Sequence, residues 1–554
     1  MAKPPKFIFV VGGVISGVGK GTATSSIGFL LQRHGYKVSA VKIDPYLNVD
    51  AGTMNPTEHG EVFVTKDGLE CDQDIGNYER FLNAEITRTN YMTSGQVYLS
   101  VIERERNLGY GGKCVETIPH VTQEVIGRLK RAVQKNDADI LMIEIGGTVG
   151  EYQNLVFLEA GRLLHLQNPN DVLWVLVSYL PVPGKLGEMK SKPTQHAVRL
   201  LNASGVQPNI ILGRSSHLID SVRREKIAVT CNVQPKDVFS APDVDSIYDI
   251  PLNFQREKLG EKILDKLGLK ARRPRLDDWN RFARRIHKAK KELKIAVVGK
   301  YFGTGNFTLS DSYISVIEAI KHAAYSQNVR PRLSWLNSER YERSKRNLME
   351  LKNYDGILVP GGFGKRGVEG KIAAIGFARK HKIPYLGLCY GMQLAAIEFA
   401  RNACDLKGAH TTEVNSKTKN PIIDILPDQR EKLAKKDYGA SMRLGNYKCK
   451  LLPGSIAAKS YQRTRWNFLN KNKTIIEERH RHRYEFNNAY IKEFEKRGMV
   501  VSGINPDRNL AEIMELKDHP YFVGTQFHPE FKSRPLQPHP LFVGFVKAAI
   551  KIKK

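Results

Sequence analysis

Short apolar runs alternate with longer amphipathic segments along most of the chain. Residues 6–11 form the first apolar run, and a glycine-rich turn and a helical pattern up to about Arg33 follow it. Further strand-length runs lie at residues 37–43, 139–145 and 172–180. Strands that alternate with helices usually pair in parallel, with helices on both faces of the sheet. The pattern therefore predicts an α/β fold with a parallel sheet in the amino-terminal half.

A second α/β pattern begins at residue 294, after a segment of different character. Residues 269–293 are rich in Arg and Lys, carry Pro274 near their start and have the charge pattern of a solvated helix. A chain of 554 residues is also too long for a single hydrophobic core. We therefore predict two domains, residues 1–268 and 294–554, joined by a helical linker at residues 269–293.

The charge composition is strongly basic. The 86 Lys and Arg residues exceed the 57 Asp and Glu residues, which gives a formal net charge of +29. Such a charge attracts polyanions, including nucleotides and nucleic acids. The basic residues are dispersed or lie in short runs, and no nucleic-acid-binding motif accompanies them. We interpret most of this charge as solvated surface and expect no dedicated nucleic-acid site.

The cysteine and hydropathy patterns predict the compartment. The six cysteines are scattered, with no pair at a spacing typical of zinc sites. No apolar run approaches the roughly 18 residues that a membrane helix needs. The first residues lead into a strand without the separate apolar region of a signal peptide. We expect a reduced, cytoplasmic protein without a membrane span or a structural metal.

Cys389 has the sequence context of a nucleophile. It lies in Gly-Leu-Cys-Tyr-Gly-Met-Gln at residues 387–393, between an apolar run and a helical pattern. The glycines permit a cramped turn, and the start of a helix favours the thiolate. Far downstream, His528 could act as a base that Glu530 orients. We predict that these three residues form a catalytic triad; a buried, inert cysteine is the alternative.

These motifs resemble the class I glutamine amidotransferase family, whose members hydrolyse glutamine to release ammonia. Residues 358–364, Leu-Val-Pro-Gly-Gly-Phe-Gly, resemble the family's oxyanion loop, in which backbone N–H groups hold the tetrahedral intermediate. The resemblance implies that Glu413 binds the α-amino group of glutamine and that the Arg483 fork binds its α-carboxylate. It also places these residues in the substrate site: Gly362, Tyr390, Gly391, Met392 and Gln393.

The glycine-rich turn after the first apolar run predicts a phosphate site. Loop N–H groups and the helix dipole attract phosphate oxygens, and Lys20 adds a positive charge. The match to the pattern G-x-x-x-x-G-K-[ST] is imperfect, because Val14 occupies the first glycine position and Gly21 the hydroxyl position. We predict phosphate binding by the following loop residues: Ser16, Gly17, Val18, Gly19, Lys20, Gly21 and Thr22.

Two carboxylates and a basic loop could complete that site. Glu144 ends the run at residues 139–145, and Asp72 lies in a polar segment before the next helical pattern. Ligands of parallel sheets bind at the carboxyl ends of the strands. We therefore predict that both carboxylates hold Mg²⁺ through oxygen ligands, and interpret Asp74 as a surface residue. The Lys-x-Lys-Pro loop at residues 190–193 suits either a second triphosphate or solvent.

Together, five segments resemble the CTP synthase family over nearly the whole chain: residues 12–21, 42–48, 76–81, 144–150 and 190–196. The resemblance implies that Lys20 and Lys42 contact ATP phosphates, that the backbone near Asp243 and Val244 meets the adenine, and that Asp72 and Glu144 bind Mg²⁺. It implies UTP contacts at these residues: Ser16, Lys190, Ser191, Lys192, Pro193, Thr194, Gln195 and Lys226.

One segment departs from the family. After Gly-Gly-Thr-Val-Gly the family usually has Asp-Ile-Glu, which contacts bound pyrimidine nucleotide, whereas this chain has Glu151, Tyr152 and Gln153. The sequence therefore leaves feedback inhibition by CTP open. The resemblance further implies activation by GTP through a lid at residues 302–309, and assembly as homotetramers and filaments.

The resemblance implies a C–N ligase that performs the final step of de novo CTP synthesis. ATP would phosphorylate O4 of UTP, and ammonia from glutamine would then displace the phosphate. Two alternatives stand beside it. One is another ATP-dependent amidotransferase, such as one that amidates a corrin ring carboxylate; the other is a non-catalytic assembly or nucleic-acid-binding protein derived from such an enzyme.

Overall fold

The computed structural model describes residues 4–55, 60–184, 187–300, 310–425 and 442–552. The predicted lid at residues 302–309 lies outside the described residues, as do Lys185 and Leu186, which precede the Lys-x-Lys-Pro loop. None of the described helices is long and apolar enough to cross a membrane.

Strands and helices alternate through most of the described chain. The strands are β1 (Lys6–Gly13), β2 (Val38–Asp44), β3 (Phe63–Val64), β4 (Glu70–Cys71), β5 (Tyr91–Thr93), β6 (Ile140–Ile145), β7 (Val172–Tyr179), β8 (Ile210–Ser215), β9 (Val238–Pro242), β10 (Glu292–Gly299), β11 (Arg330–Asn337), β12 (Gly356–Val359), β13 (Tyr385–Leu388), β14 (His410–Thr411), β15 (Pro421–Ile425), β16 (Arg443–Leu451), β17 (Ile475–His482), β18 (Tyr484–Phe486), β19 (Met499–Asn505), β20 (Leu510–Leu516) and β21 (Phe522–Thr525).

The helices are α1 (Lys20–Arg33), α2 (Asp74–Leu82), α3 (Ser94–Arg106), α4 (Thr122–Asn136), α5 (Leu155–Gln167), α6 (Lys192–Ala203), α7 (Ser221–Cys231), α8 (Ile250–Arg256), α9 (Leu259–Lys266), α10 (Asp277–Lys288), α11 (Ile314–Ser326), α12 (Glu339–Arg343), α13 (Val368–Lys380), α14 (Tyr390–Asn402), α15 (Ile456–Gln462), α16 (Ile491–Lys496) and α17 (Pro540–Ile552).

The chain divides into two compact units. The first consists of Met1–Asp50 with Asn77–Asn280, and the second of Ala51–Gly76 with Arg281–Lys554. The second unit therefore takes in a short segment from the amino-terminal half, which no local pattern indicated. The predicted linker is helical only at α10, and residues 269–276 have no regular secondary structure. Pro274 explains this, because it lacks an N–H group and disfavours helix at the residue before it.

The first unit contains a seven-stranded sheet in the order β5-β2-β6-β1-β7-β8-β9. All neighbouring pairs in this sheet are parallel, which confirms the predicted parallel α/β fold. Its central strands are apolar and fully buried, as expected of a sheet covered by helices on both faces. Lys42 of β2 lies beside Glu144 of β6 in the register, near the carboxyl ends of both strands.

The second unit contains a nine-stranded mixed sheet in the order β11-β10-β12-β13-β21-β20-β19-β16-β17. The strands from β11 to β21 pair in parallel, and the remaining strands pair antiparallel. Alternate residues of β10 enter different hydrophobic clusters: Ala296 and Val298 enter one, and Ile295 and Val297 enter the other. Since successive strand residues point to opposite faces, both faces of this sheet are covered.

Candidate active sites

Cys389 occupies a strained turn between β13 and α14. Its backbone has φ 50° and ψ −99°, a conformation that side-chain-bearing residues rarely adopt. The Cys389 N–H donates to the carbonyl of Thr525 on β21 at 2.6 Å, which anchors the turn to the sheet. A Cβ atom on Gly391 would lie 2.2 Å from the carbonyl oxygen of Val359, so only glycine fits there. The structure therefore has the predicted strand–turn–helix, with the thiol at its tip.

The three residues of the predicted triad lie together in the second unit. Nδ1 of His528 is 2.7 Å from Oε1 of Glu530. A Cβ atom on Gly361 would lie 2.9 Å from Cε1 of His528 and 3.8 Å from Cβ of Cys389, so the imidazole and the thiol border the same small space. The thiol donates to the carbonyl of Arg481 at 3.8 Å, and Nε2 of Gln526 donates to the sulfur at 3.7 Å.

The electrostatics around His528 favour its charged form. Burial disfavours the imidazolium, but the Glu530 carboxylate and the Cys389 sulfur outweigh burial and raise the pKa of His528 to about 10. Within the described residues, Nε2 of His528 is buried and makes no hydrogen bond. An imidazolium beside a cysteine sulfur stabilises the thiolate, which is the nucleophilic form.

The triad opens onto a cavity of about 590 Å³ in the second unit. Glu413 and Arg483 line this cavity with Gly361, Gly362 and Gln393, so most of the predicted glutamine contacts are brought together. Burial raises the pKa of Glu413, although the Gly364 N–H and two nearby lysines oppose the shift. A half-buried carboxylate that lines an open cavity suits a cationic ligand group, such as an α-ammonium group.

The predicted glutamine contacts at residues 390–393 form the first turn of α14, directly after Cys389. The Tyr390 hydroxyl donates to the Gly364 carbonyl at 3.1 Å, and Nε2 of Gln393 donates to the carbonyl of Tyr484 at 2.8 Å. Met392 packs against β21, where a Cβ atom on Gly524 would lie 2.9 Å from the Cβ atom of Met392. Gly391 packs against β12. Tyr390, Gly391 and Met392 pack around the Cys389 turn, whereas Gln393, Glu413 and Arg483 line the cavity.

The phosphate loop of the first unit connects β1 to α1. Gly17 and Gly19 have positive φ angles of 70° and 90°, and Val14 has φ 80°. Val14 thus adopts the left-handed conformation at the position where the phosphate-binding pattern has glycine, a costly conformation for a β-branched residue. Lys20 is buried, and its Nζ donates to the Gly147 carbonyl at 2.7 Å. Ser16 and Gly17 are exposed.

A buried polar cluster lies at the carboxyl ends of β2 and β6. Nζ of Lys42 donates to Oε1 of Glu144 at 2.8 Å and lies 3.8 Å from Oδ1 of Asp44. The Tyr78 hydroxyl donates to the other oxygen of Glu144. The predicted partner, Asp72, belongs to the second unit, where its Oδ1 accepts from the Asp74 N–H at 2.8 Å. The pairing of Asp72 with Glu144 stays a prediction.

The donor chemistry of this cluster fits Mg²⁺. Among the residues that the structure describes, no group of three or more His, Cys, Asp or Glu side chains is arranged to hold a metal ion. Mg²⁺ at nucleotide sites, however, is usually held by one or two carboxylates together with phosphate oxygens and water. Glu144 offers hard oxygen ligands at a strand end that adjoins the phosphate loop, as such a site requires.

The predicted adenine and UTP contacts lie in segments that follow four strands of the first unit: β1, β7, β8 and β9. Nη2 of Arg214 donates to Oδ1 of Asp243 at 2.7 Å, and Val244 is half-buried beside it. The Thr194 hydroxyl is 2.8 Å from the Ser178 hydroxyl, and Nε2 of Gln195 donates to Ser191 at 3.1 Å. Lys190 forms an ion pair with Glu188 at 2.6 Å. Lys192 and Lys226 are exposed, and Pro193 lies in the first turn of α6.

Comparisons with known proteins cover both units. Family models described as CTP synthase N-terminus and as glutamine amidotransferase class-I match residues 6–269 and 308–548. The chain is 46% identical to a CTP synthase of Caldanaerobacter subterraneus subsp. tengcongensis over 99% of both chains. It is 48% identical to a CTP synthase of Moorella thermoacetica, over 99% of this chain and 98% of that one.

The chain belongs to the CTP synthase family. A solved structure, the glutaminase domain of Trypanosoma brucei CTPS with bound acivicin, is 36% identical with a TM-score of 0.42, and the match covers 47% of this chain and 94% of that one. The predicted class I glutamine amidotransferase domain and amino-terminal synthetase domain are confirmed. The alternative of a non-catalytic nucleic-acid-binding protein is not favoured.

The segment that departs from the CTP synthase family adjoins Lys20. Oε1 of Glu151 accepts from the Thr148 N–H at 2.9 Å, and Nε2 of Gln153 donates to Oε2 at 2.8 Å. Burial opposes ionisation of Glu151, but these hydrogen bonds and the charge of Lys20 outweigh it and lower the pKa of Glu151. Tyr152 is 93% exposed. The longer Glu151 side chain thus folds back onto its own turn.

Sequence reasoning missed the contribution of Thr53 and Glu61 to the cavity at Cys389. Thr53 and Glu61 line that cavity, and both oxygens of Glu61 accept from the Ser315 N–H at 3.2 Å, at the start of α11. Glu70 pairs with Nε of Arg481 at 2.7 Å. No local pattern could have found these contacts, since the paired residues are 254 and 411 positions apart.

Proposed function

We propose that the chain is a glutamine-hydrolysing CTP synthase, which converts UTP, ATP and L-glutamine into CTP, ADP, phosphate and L-glutamate. One observation carries the proposal: the chain matches relatives named CTP synthase over 99% of its length, and both predicted centres lie within that match. The thiol centre supports glutamine hydrolysis, and the phosphate loop with the Lys42–Glu144 cluster supports ATP-dependent activation of the pyrimidine.

In the glutaminase half-reaction, the Cys389 thiolate attacks the carboxamide carbon of glutamine. Backbone N–H groups near Gly362 stabilise the oxyanion of the tetrahedral intermediate. His528 gives its proton to the departing nitrogen, the C–N bond breaks, and ammonia leaves a glutamyl thioester. His528 then takes a proton from water, which attacks the thioester and releases glutamate, and Glu530 keeps the imidazole oriented throughout.

In the synthetase half-reaction, O4 of UTP attacks the γ-phosphorus of ATP, and ADP leaves. Because uracil C4 is an amide-like carbonyl, this phosphorylation creates the leaving group that amination needs. Ammonia then adds to C4 and phosphate departs with O4, which yields CTP. Lys20 and Lys42, which donate to the Gly147 carbonyl and to Glu144 in the structure, would instead donate to phosphate oxygens of ATP. They would thereby stabilise the phosphoryl group during its transfer. Glu144 and Asp72 would hold Mg²⁺, which would supply positive charge to the phosphate groups.

The UTP contacts proposed from the family are Ser16, Lys226 and the segment at residues 190–195. GTP as activator and assembly into homotetramers and filaments belong to the same proposal, and they rest on family membership alone. A reducing, cytoplasmic compartment is proposed because the six cysteines are free.

The direct test is an assay of the purified full chain with UTP, ATP, Mg²⁺ and glutamine, with and without GTP, in which CTP is separated by ion-exchange chromatography. We expect one CTP for each ADP and each glutamate formed, and faster glutamine-dependent synthesis with GTP. Cobyrinic acid as acceptor in place of UTP is the control for the rival amidotransferase. ADP formation with that carboxylate, and none with UTP, would contradict the proposal.

A further inference from the structure

Lys371 is a buried cation beneath the glycine loop of the glutaminase. It lies in the first turn of α13, which begins after Gly367, and its side chain is 0% exposed. Within the described residues, its Nζ is buried and makes no hydrogen bond. A charged side chain that is removed from water without a partner costs free energy, so packing alone does not explain a lysine here.

The surroundings of Lys371 point to the thiol centre. Its Nζ lies 5.4 Å from the ring centroid of Tyr390, the residue after the nucleophile. It would also lie 3.8 Å from a Cβ atom on Gly362, whose backbone borders the glutamine cavity. The ammonium group therefore sits behind the loop that would hold the oxyanion and beside the first residue of α14, and it stays outside the cavity itself.

Other side chains hold the loop at residues 361–364 by its backbone. Lys300 donates to the Phe363 carbonyl, the Gly364 N–H donates to Glu413 at 2.7 Å, and the Tyr390 hydroxyl donates to the Gly364 carbonyl at 3.1 Å. Lys371 approaches this frame at Tyr390, the residue after Cys389, and at Gly362, which lines the cavity. A positive charge there acts on an oxyanion through a dry, low-dielectric wall, where electrostatic effects are strong.

We propose that Lys371 is a positioning residue of the glutaminase, which acts through the Tyr390 ring and the Gly362 backbone to stabilise the tetrahedral oxyanion. The inference rests on the proposed glutamine hydrolysis. It assigns to Lys371 a positive charge behind the loop at residues 361–364. Among the described residues, Lys300, Glu413 and Tyr390 are titratable groups close to it. Burial, with the nearby charge of Lys300, lowers the pKa of Lys371 to about 7, and Glu413 opposes the shift. The stabilising charge is therefore lost as pH rises through neutrality.

The test is Lys371→Met in the full chain, with Lys380→Met, an exposed position on the same helix, as the matched control. Steady-state glutaminase kinetics from pH 6 to 9 separate kcat from KM, and ammonium-dependent CTP synthesis monitors the integrity of the protein. We expect kcat of Lys371→Met to fall about tenfold at pH 6.5, the effect of a change near 1.4 kcal/mol, with KM nearly unchanged. The deficit should shrink above pH 8, and Lys380→Met should match the unmodified enzyme.

A stability measurement separates this role from a structural one. The unfolded chain holds the Lys371 proton up to a pKa of about 10.5, whereas the folded chain loses it near 7. Burial of the charged lysine lowers the free energy of unfolding by its full amount below pH 7, and this penalty disappears as pH rises towards 10.5. At pH 6.5, Lys371→Met should therefore have a higher melting temperature than the unmodified enzyme.

A deficit that is constant with pH, unchanged kcat, or a lower melting temperature would overturn the inference. If the unmodified enzyme hydrolysed no glutamine, the proposed function would fail instead.

Discussion

The thiol centre and the phosphate loop use the same local architecture for opposite purposes. Each is a turn between a parallel strand and a helix, and each holds a non-glycine residue at positive φ: Cys389 at 50° and Val14 at 80°. At the thiol centre, the strained residue is itself the predicted nucleophile, and it is buried together with the predicted base His528 and with Glu530. In the phosphate loop, the strained residue is Val14, whose side chain has no reactive group. Val14 and Ser16 are both exposed.

The difference follows from what each site must do. A nucleophile has to be fixed against its base to within a fraction of an ångström, so rigid burial lowers the barrier. A phosphate loop has to admit a large anion, so its N–H groups stay accessible while Lys20 rests on a backbone carbonyl. The residues of the thiol centre therefore lie against one another, whereas Lys20 donates to the Gly147 carbonyl beside an exposed loop.

The largest effect is expected for Cys389→Ala. Removal of the nucleophile should lower glutamine-dependent CTP synthesis on the order of 10⁴-fold or more, because no other group can form the acyl intermediate. Synthesis from added ammonium should stay within about twofold of the unmodified enzyme. Parallel assays with glutamine and with ammonium chloride check this. Loss of both activities in a folded variant would show that the two centres are not separable.

Lys20→Met should give the converse result. CTP synthesis from either nitrogen source should fall about 10³-fold, because the variant lacks the positive charge at the transferring phosphoryl group. Glutamine hydrolysis without UTP should stay near its original rate. Glutamate release and ADP release are measured in the same reaction, with Lys380→Met as the control for the loss of a lysine. Intact ADP formation would contradict the role of Lys20.

Glu530→Gln tests the electrostatics of the thiol centre. The pKa of His528 should fall from about 10 towards 6.5, and the glutaminase rate should drop on the order of 10²-fold. A raised histidine pKa adds stability that is complete below pH 6.5 and is lost as pH rises through 10. The variant should therefore lose this dependence of unfolding free energy on pH, which chemical denaturation at several pH values measures. An unchanged pH dependence would exclude the ion pair.

Gly361→Ala should have the smallest effect of the series. The new methyl group would lie 2.9 Å from Cε1 of His528, so the imidazole has to shift by a few tenths of an ångström. We expect a loss of glutaminase kcat of about tenfold, with ammonium-dependent synthesis unaffected. Gly184→Ala is the control, because nothing lies within 4 Å of its added methyl group. Equal glutaminase rates for both variants would show that the imidazole has room to move.

The parts of the fold and sites that local patterns specify could be predicted. The parallel sheet of the first unit, the elbow at Cys389 and the loop before Lys20 each occupy a few consecutive residues whose glycines and apolar runs have a direct structural meaning. The predicted glutamine contacts Glu413 and Arg483 lie outside the Cys389 motif, and family resemblance rather than a local pattern indicated them. The structure brings both to one cavity.

The rest depends on tertiary packing. The placement of residues 51–76 in the second unit rests on pairs such as Glu70 with Arg481, which are 411 positions apart. Lys371 lies in a helix whose polar residues suggest no buried cation, and only the packed loop around it shows that it has no access to water. The conformation of Val14 is likewise imposed by the loop, since its own type disfavours positive φ.

The central claim is that nitrogen freed at Cys389 is the nitrogen added to the pyrimidine. The most direct measurement supplies glutamine labelled with ¹⁵N in its side-chain amide, together with UTP, ATP, Mg²⁺ and GTP, and analyses the CTP by mass spectrometry. The account predicts ¹⁵N in the amino group of CTP, and no CTP from labelled glutamine with Cys389→Ala. CTP without label, or glutamate release with no CTP at all, would contradict it.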